Sequence, residues 1–377
     1  MSEKKINILF VLIQIHMGGA ERVVMELIRS LDPQQFDTYL AYFNEGDLSN
    51  KFKEMCKETF RISKKKGFDF KAMLRLSEII KRYNIDVVNA HHYMPFFYSY
   101  LGSKILHKRR LVYTEHSVPE AQGVASSKHK KIFGYMLGRT DSVVCISKEI
   151  GDTFKNSYPR YMHKFKVIVN GVNVDRFANH ADRDKLREQW GIYPSHFVVG
   201  TIANFRKVKN HACLIRAFDQ MSSNNPHLRV MLVGQGFSGD RENSERELID
   251  LIHTFRLQER VIMTGYQENI ADILKVFDVF CLPSFSEGLP VSVLEAMAAK
   301  VPVVGSNVQG INEVVFHEKT GLLFSSDDET ALASAISRLL NDANLREKIV
   351  HNAYHYVHTK HGLKQWISKY ETLFSEA

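Results

Sequence analysis

Two groups of residues in the second half of this chain have types and spacings that could do chemistry. Arg206 and Lys209 stand just beyond an apolar run at 197–202 and ahead of a helical pattern that starts near His211. An arginine and a lysine at the carboxyl end of a strand can together neutralise a diphosphate, the first through its planar fork and the second as a compact charge. On that feature alone, a solvated basic turn is an equal reading. Ser284-Phe285-Ser286-Glu287-Gly288-Leu289-Pro290 leads from a second apolar run into another helix, with Glu295 inside it. Glu287 would project from the loop while Glu295 lies more than a turn deeper, so the two carboxylates can meet different parts of one ligand. Pro290 suits the opening turn of a helix. Leu294, Ala296, Met297, Ala298 and Ala299 give Glu295 an apolar setting in which a merely solvating carboxylate would be out of place.

The first half offers glycines and histidines. Gly18-Gly19-Ala20-Glu21 falls between an apolar run at 6–15 and a helical pattern at 20–31. Glycines let the backbone approach a ligand, and a helix N-terminus presents unpaired N–H groups that favour phosphate. The stretch lacks GxGxxG spacing, and any βα turn can carry glycine, so alone it decides nothing. His116, in Tyr113-Thr114-Glu115-His116-Ser117, ends a strand-like run. Histidine there suits hydrogen bonding or proton exchange near neutral pH, although a polar residue capping a strand end is common. His91 and His92 follow a further run at 87–90.

These residues need elements to aim them. Short apolar runs alternate with longer amphipathic ones, which predicts parallel strands joined by crossover helices. Strands are expected at 6–15, 38–43, 87–90, 111–115, 142–146 and 167–170, with helices at 20–31 and 71–83. After a charged stretch at 181–189 the pattern restarts. Strands are expected at 197–202, 229–233, 261–264, 279–283 and 301–305, and helices at 211–221, 245–255, 270–277, 291–299 and 332–340. A linker is expected near 178–195, and a helical end piece from about 354. The fold class is thus α/β, two Rossmann-like domains facing each other, with ligands at the carboxyl ends of the strands in the interdomain cleft.

Composition sets outer bounds. The 377 residues suit two domains, and 44% hydrophobic with 24% charged residues excludes disordered and fibrous classes. No run reaches the ~18 apolar residues of a spanning helix. The stretch at 6–15 follows Lys4 and Lys5 as a signal peptide would. Asn7 interrupts it, however, and Gly18-Gly19-Ala20-Glu21-Arg22 replaces a cleavage site, so a buried first strand is expected. Cys56, Cys145, Cys213 and Cys281 are widely spaced with no CxxC pair, which argues against structural zinc and disulfides and for a reducing compartment. Charge is uneven: residues 1–180 hold 29 Lys+Arg against 18 Asp+Glu, and residues 181–377 hold 21 against 24. A net +11 half invites an anionic partner, and sequence charge alone does not choose among nucleic acid, a phosphorylated substrate and a membrane.

At this point the residues carry a resemblance. Glu287 through Glu295, EGLPVSVLE, resembles the E-x7-E motif of retaining glycosyltransferases with the GT-B fold, in the large family 4 (glycosyl transferases group 1). The surrounding PSFSEGLPVSVLEAMAAKVPVVGSNVQGINEVV is similar to that family nearly end to end. So are GGAERVV near the start, NGVNVDRF at 170–177 and FRKVKNHACLIRAF at 205–218. The resemblance implies transfer of a sugar from a nucleotide diphosphate donor with retention at the anomeric carbon. It implies an acceptor-side domain over 1–180, completed by a C-terminal helix at 359–377, and a donor-binding domain over 181–358. By resemblance, Arg206 and Lys209 hold the donor diphosphate, Glu295 takes the ribose hydroxyls and Glu287 faces the donor sugar. Gly18 and Gly19 approach the donor from the other domain. Backbone around Gln309-Gly310-Ile311 and at Gly288-Leu289 adds contacts, Tyr266 and Gln267 border the base, and His116 lies near the transferred sugar. His91 and His92 stand where relatives meet the acceptor, and one of that pair is expected to be structural. Two positions depart from the family: Phe205 and Lys300 replace customary glycines, which bears on the shape of the donor pocket.

The resemblance further implies that Arg206, Lys209 and helix N-terminal N–H groups stabilise the leaving nucleoside diphosphate in place of a divalent metal. Asp182-Arg183-Asp184 has the Asp-x-Asp form of metal-dependent folds but lies in the expected linker, where a solvated segment is the better reading. Neither metal nor cofactor is expected. The donor is expected to be a UDP-hexose or UDP-N-acetylhexosamine, and the acceptor a glycan or lipid-linked molecule of bacterial surface polysaccharide synthesis. Two other classes compete. A dinucleotide oxidoreductase would show GxGxxG with an acid about 20 residues on, and neither half does. A nucleic-acid-binding protein would explain the basic half but leave Glu295 and the acidic half unexplained, so no nucleic acid partner is expected. On sequence alone the basic clusters Lys64-Lys65-Lys66, His107-Lys108-Arg109-Arg110 and Lys128-His129-Lys130-Lys131 suit an anionic membrane and a merely solvated face over an aromatic core equally, and the resemblance, which implies a lipid-linked acceptor, favours the membrane as a further partner. Two of them adjoin the apolar stretches at 96–101 and 132–137. A cytoplasmic protein, peripheral on the inner face of the cell membrane, is expected.

Overall fold

A computed structural model describes residues 4–16, 18–117, 127–178, 181–237 and 240–376. Two compact units divide the chain: 1–170 with 364–377, and 171–363. The boundary expected at 180 lies outside the described residues. The segment after 170 belongs with the second unit, where Val172 N donates to His361 O at 2.8 Å.

The first unit is built on seven parallel strands: β1 (Ile6–Gln14), β2 (Phe36–Asn44), β3 (Glu58–Arg61), β4 (Val87–His91), β5 (Arg110–Glu115), β6 (Ser142–Cys145) and β7 (Phe165–Val167). Their spatial order is β3-β2-β1-β4-β5-β6-β7. The second unit holds β8 (Phe197–Ile202), β9 (Leu228–Val233), β10 (Val261–Gly265), β11 (Val279–Leu282), β12 (Val303–Ser306) and β13 (Leu322–Phe324), in the order β10-β9-β8-β11-β12-β13. Both are Rossmann-like sheets with a reversal of strand order, at β1/β4 and at β8/β11. Ligands of such sheets bind outside the carboxyl ends of the strands flanking the reversal.

Sequence explains the layers. Ile8 to Leu12 are all fully buried, as a strand covered by helices on both faces requires. The helix Phe70–Arg82 turns Ala72, Met73, Leu76 and Ile80 inward at the helical period. Its N-cap Asp69 accepts from the backbone N–H groups of Lys71 and Ala72. Asp182 does the same for the helix Arg183–Glu188, accepting from Asp184 N and Lys185 N. Its carboxylate is thereby engaged as a cap within the stretch expected to be a linker. Arg187 ties that helix to the segments just before β8 and β11, donating to His196 O, Val276 O and Asp278 Oδ2.

The apolar stretches that prompted the membrane expectation are largely core. Phe96, Tyr98 and Tyr100 are buried along the helix Tyr93–Ser99 and the π-helical turn Tyr100–Ile105, as are Phe133, Met136 and Leu137 of the helix Ser127–Arg139. Phe96 stacks on Tyr113, with ring centroids 4.2 Å apart. The last helix, Leu363–Ser375, buries Trp366, Ile367, Tyr370, Leu373 and Phe374 in the first unit. Phe374 meets Phe10 and Phe36 edge-on. No helix among the described residues is long and apolar enough to cross a membrane.

Candidate active site

In the first unit, the carboxyl ends of β1, β4 and β5 carry Gly18, His91, His92 and His116. The helix Gly19–Ser30 starts after Gly18, and its first turn holds the buried carboxyl of Glu21. A Cβ on Gly18 would lie 2.3 Å from Glu21 Oε2, whereas one on Gly19 would meet nothing within 4 Å. Glycine at 18 therefore makes room for Glu21. Burial raises the Glu21 pKa to about 7, opposed by a hydrogen bond to its own backbone and by the charges of His92 and His16.

The three histidines pack against one another: the rings of His91 and His92 each lie 5.0 Å from that of His116. His91 is fully buried, with Nδ1 2.7 Å from His116 Nε2 and Nε2 3.0 Å from Asn89 Oδ1. Both of its nitrogens are thus engaged inside the unit. His91 is thus held as part of the interior, as was expected of one member of the His91–His92 pair. His92 has φ 68° and ψ 165°, a backbone region otherwise left to glycine and costing about 1–3 kcal/mol. Its Nδ1 lies 3.6 Å from Glu115 Oε1. Burial alone would lower the His92 pKa, but the hydrogen bond and charge of Glu115, with the charge of Glu21, raise it above its ordinary value. Glu115 Oε1 also accepts from His116 N at 2.8 Å and Ser117 N at 3.1 Å, while the Tyr113 hydroxyl donates to Oε2.

In the second unit the strand ends gather the cationic pair and the first glutamate. Lys209 Nζ lies 2.6 and 2.8 Å from the two oxygens of Glu287. Ser284 Oγ donates to the same carboxylate at 2.6 Å, and Ser306 Oγ donates to Ser284 O. The loops after β8 and β11 are tied by Phe285 N donating to Val208 O at 2.8 Å. Arg206 Nε lies 2.9 Å from Asp240 Oδ2. Gly310 follows β12 with φ +82°, and a Cβ there would stand 2.6 Å from Glu287 O and 2.7 Å from Gly288 O. Only glycine lets the 306–311 turn lie against the backbone behind Glu287. Glu295 is buried within the helix Val291–Ala298, as its apolar neighbours suggest. Leu289 is buried as well. Tyr266 and Gln267 are half-buried after β10, and Gln267 Nε2 donates back to Thr264 O.

Family comparisons match this layout. The model for glycosyltransferase family 4 matches residues 17–176, and that for glycosyl transferases group 1 matches residues 182–356. The chain belongs to the GT-B glycosyltransferases of group 1. Among curated relatives, it is 26% identical to the N-acetyl-alpha-D-glucosaminyl L-malate synthase of Bacillus anthracis, over 86% of this chain and 83% of the synthase. It is 27% identical to the UDP-Gal:alpha-D-GlcNAc-diphosphoundecaprenol alpha-1,3-galactosyltransferase of Escherichia coli, over 93% of each. In fold it is similar to HepE of Anabaena, crystallised with UDP and glucose, at a TM-score of 0.86 and 22% identity over 98% of this chain and 99% of HepE.

Both departures from family glycines have local explanations in this glycosyltransferase. Phe205 is fully buried and packs edge-on against His211, so its ring is part of the core of the second unit. Lys300 takes φ +59°, the conformation a glycine would adopt freely, with its ammonium 4.7 Å over the Tyr354 ring. Four residues join the site that sequence reasoning did not assign: Glu21, Asn89, Glu115 and Asp240. A signal existed for two of them, since Asn89 and Glu115 are polar residues inside otherwise apolar strands.

Proposed function

We propose that this glycosyltransferase is a retaining, metal-independent enzyme that moves a hexose or N-acetylhexosamine from a uridine diphosphate donor to a glycan or lipid-linked acceptor. Its setting would be bacterial surface polysaccharide or glycoconjugate synthesis. The observation that carries the reading is the Lys209–Glu287 pair at the carboxyl ends of β8 and β11, with Arg206 three residues before Lys209 on the same loop. A sugar diphosphate offers such a set phosphate oxygens for the cations and hydroxyls for the carboxylate. The HepE complex with UDP and glucose and the diphosphoundecaprenol substrate in the name of the E. coli relative support these donor and acceptor classes.

As the bond from the anomeric carbon to the phosphate oxygen breaks, negative charge grows on UDP. Arg206 and Lys209 meet it with positive charge already in place. A carboxylate nucleophile would explain retention through a covalent intermediate. Glu287 is instead engaged by Lys209 and Ser284, a setting that suits holding sugar hydroxyls. In the proposed route the acceptor hydroxyl attacks from the side on which UDP departs, and the leaving phosphate takes its proton. Glu295 holds the ribose, Tyr266 and Gln267 border the base, Gly18, Gly19, Gly288 and Leu289 line the donor, His116 serves the sugar, and His92 the acceptor.

Nucleotide release from a panel of UDP-, GDP- and ADP-sugars, with product configuration read by NMR, tests the proposal. UDP release with retained configuration, undiminished in excess chelator, is the expected result. An inverted product overturns the retaining mechanism, and loss of activity in chelator overturns metal independence.

Membrane contact through the first unit is part of the proposal, and a group of exposed apolar and basic side chains supports it. Phe68, Phe70 and Leu74 are exposed beside Lys65, Lys66 and Lys71. Basic residues beside apolar ones suit an anionic bilayer, at about 1 kcal/mol per basic residue. Sedimentation with anionic and with neutral vesicles, at low and high salt, checks it. Protein left in the supernatant with anionic vesicles at low salt overturns the membrane partner.

A further inference from the structure

The side chains behind His116 dictate which of its nitrogens carries the proton. Asn89 Nδ2 lies 3.3 Å from Val112 O and 2.9 Å from Thr114 Oγ1. A backbone carbonyl can only accept, so the Asn89 amide nitrogen faces it and Oδ1 faces His91. That oxygen can only accept in turn, so His91 Nε2, 3.0 Å away, carries a proton. Burial, followed by the charge of His92, lowers the His91 pKa to about 3, and burial holds that of His116 well below its ordinary value. Both rings are therefore neutral near pH 7, with one proton each. His91 Nδ1 is then an acceptor, and His116 Nε2, 2.7 Å away, must donate to it. Each step leaves one choice.

We infer that Asn89 and His91 are positioning residues that hold His116 as its Nε2–H tautomer, so that His116 meets a bound sugar through Nδ1 as the acceptor of a hydroxyl's hydrogen bond. The inference rests on the glycosyltransferase reading above. Of the two residues His116 alone keeps any exposure, at 8% against 0% for His91. Its backbone is pinned by the bond from His116 N to Glu115 Oε1. The register supplies the relay: Asn89 pairs with Val112, and His91 with Thr114, across β4 and β5. Without these partners Asn89 would be a buried amide with its polar atoms unsatisfied.

The ring nitrogens of His116 can be read directly by long-range proton–nitrogen NMR on histidine-labelled protein at pH 7.5, with its signals assigned by their loss in His116→Gln. The expected pattern is a proton on Nε2 and none on Nδ1. The opposite tautomer, an even mixture or a doubly protonated ring in wild type overturns the relay, whatever the activity. His91→Gln keeps an amide that can accept from His116 and donate to Asn89, whereas His91→Leu cannot. The leucine variant is expected to lose the single-tautomer pattern and, on the order of 10–100-fold, kcat rather than donor KM. The glutamine variant should recover the pattern and much of kcat. Equal spectra and equal rates for the two variants would refute the role of His91. A wild-type spectrum as expected, from protein that transfers no sugar, would instead refute the glycosyltransferase reading and leave the tautomer assignment standing.

Discussion

Lys209 holds both carboxylate oxygens of Glu287 within 2.8 Å, so the cation proposed for the donor phosphates is already paired with the carboxylate proposed for the sugar. A phosphate reaching Lys209 competes with Glu287. Glu287→Gln should therefore bind UDP, which lacks the sugar, about 3–10-fold more tightly, while turnover of the UDP-sugar falls. Calorimetric titration with UDP beside steady-state kinetics separates the two effects. Weaker UDP binding in the variant would contradict this competition.

Arg206 and Lys209 are expected to be non-equivalent to any neutral residue. Arg206→Ala and Lys209→Ala should each lower kcat/KM by about 2–4 kcal/mol of transition-state stabilisation, the scale for losing one charge-stabilising donor. Glu295→Gln should raise donor KM more than it lowers kcat, because ribose contacts do not change during transfer. Near-wild-type kinetics in all three would remove the second unit from donor binding.

His211 carries a prediction about pH. It is buried against Phe205, and neither ring nitrogen has a hydrogen-bond partner among the described residues. Burial first, and the Lys209 charge second, lower its pKa to about 3. Below pH 6.5 the unfolded chain takes up a proton that the folded chain refuses, so this group's contribution to stability is lost as pH falls from about 6.5 towards 3. His211→Leu removes that loss. Urea unfolding should show the variant gaining on wild type by about 2 kcal/mol between pH 7.5 and pH 5. A stability difference that does not change with pH would count against the buried neutral ring.

Gly310→Ala tests the turn behind Glu287. The added methyl meets two carbonyl oxygens at under 3 Å, at a φ that disfavours any side chain. Backbone cannot swing aside as a flexible side chain can. A loss of about 2 kcal/mol or more in thermal or urea unfolding is expected, with raised donor KM as Glu287 shifts. A variant matching wild type in both measurements would show that the turn does not set Glu287.

Much of the fold was legible because fully buried parallel strands read as apolar runs: 197–202 matches β8 at both ends, and most other strands differ by one or two residues. The edge strands β3 and β13 escaped notice because they are short, and β3 is half-exposed, so neither shows a long buried run. The strand expected at 167–170 is instead β7, Phe165–Val167. Cationic and acidic site residues were visible because their local motifs announce them. The partners that condition them were not. Asn89 and Val112 are brought together by strand register, and Asp240 reaches Arg206 from a loop with no apolar pattern. The aromatics at 96–100 were ambiguous for a related reason: composition does not tell a greasy surface from a core, and only the packing of Phe96 on Tyr113 decides it.

The first unit is built from two stretches of chain, and the whole of the second lies between them in sequence. Its sheet comes from residues before 170, yet Trp366, Tyr370 and Phe374 fill its core, and Glu376 pairs with Lys166 and Arg110. During synthesis the ribosome must therefore deliver the entire second unit before the first can complete its packing. Until then β1 would lack the ring of Phe374 over Phe10. No single cut separates the two units intact, and a first unit produced alone would need residues 364–377 spliced back onto it. A stop codon before Leu363 would thus damage the histidine-bearing half of the enzyme, more than 240 residues upstream of the lesion.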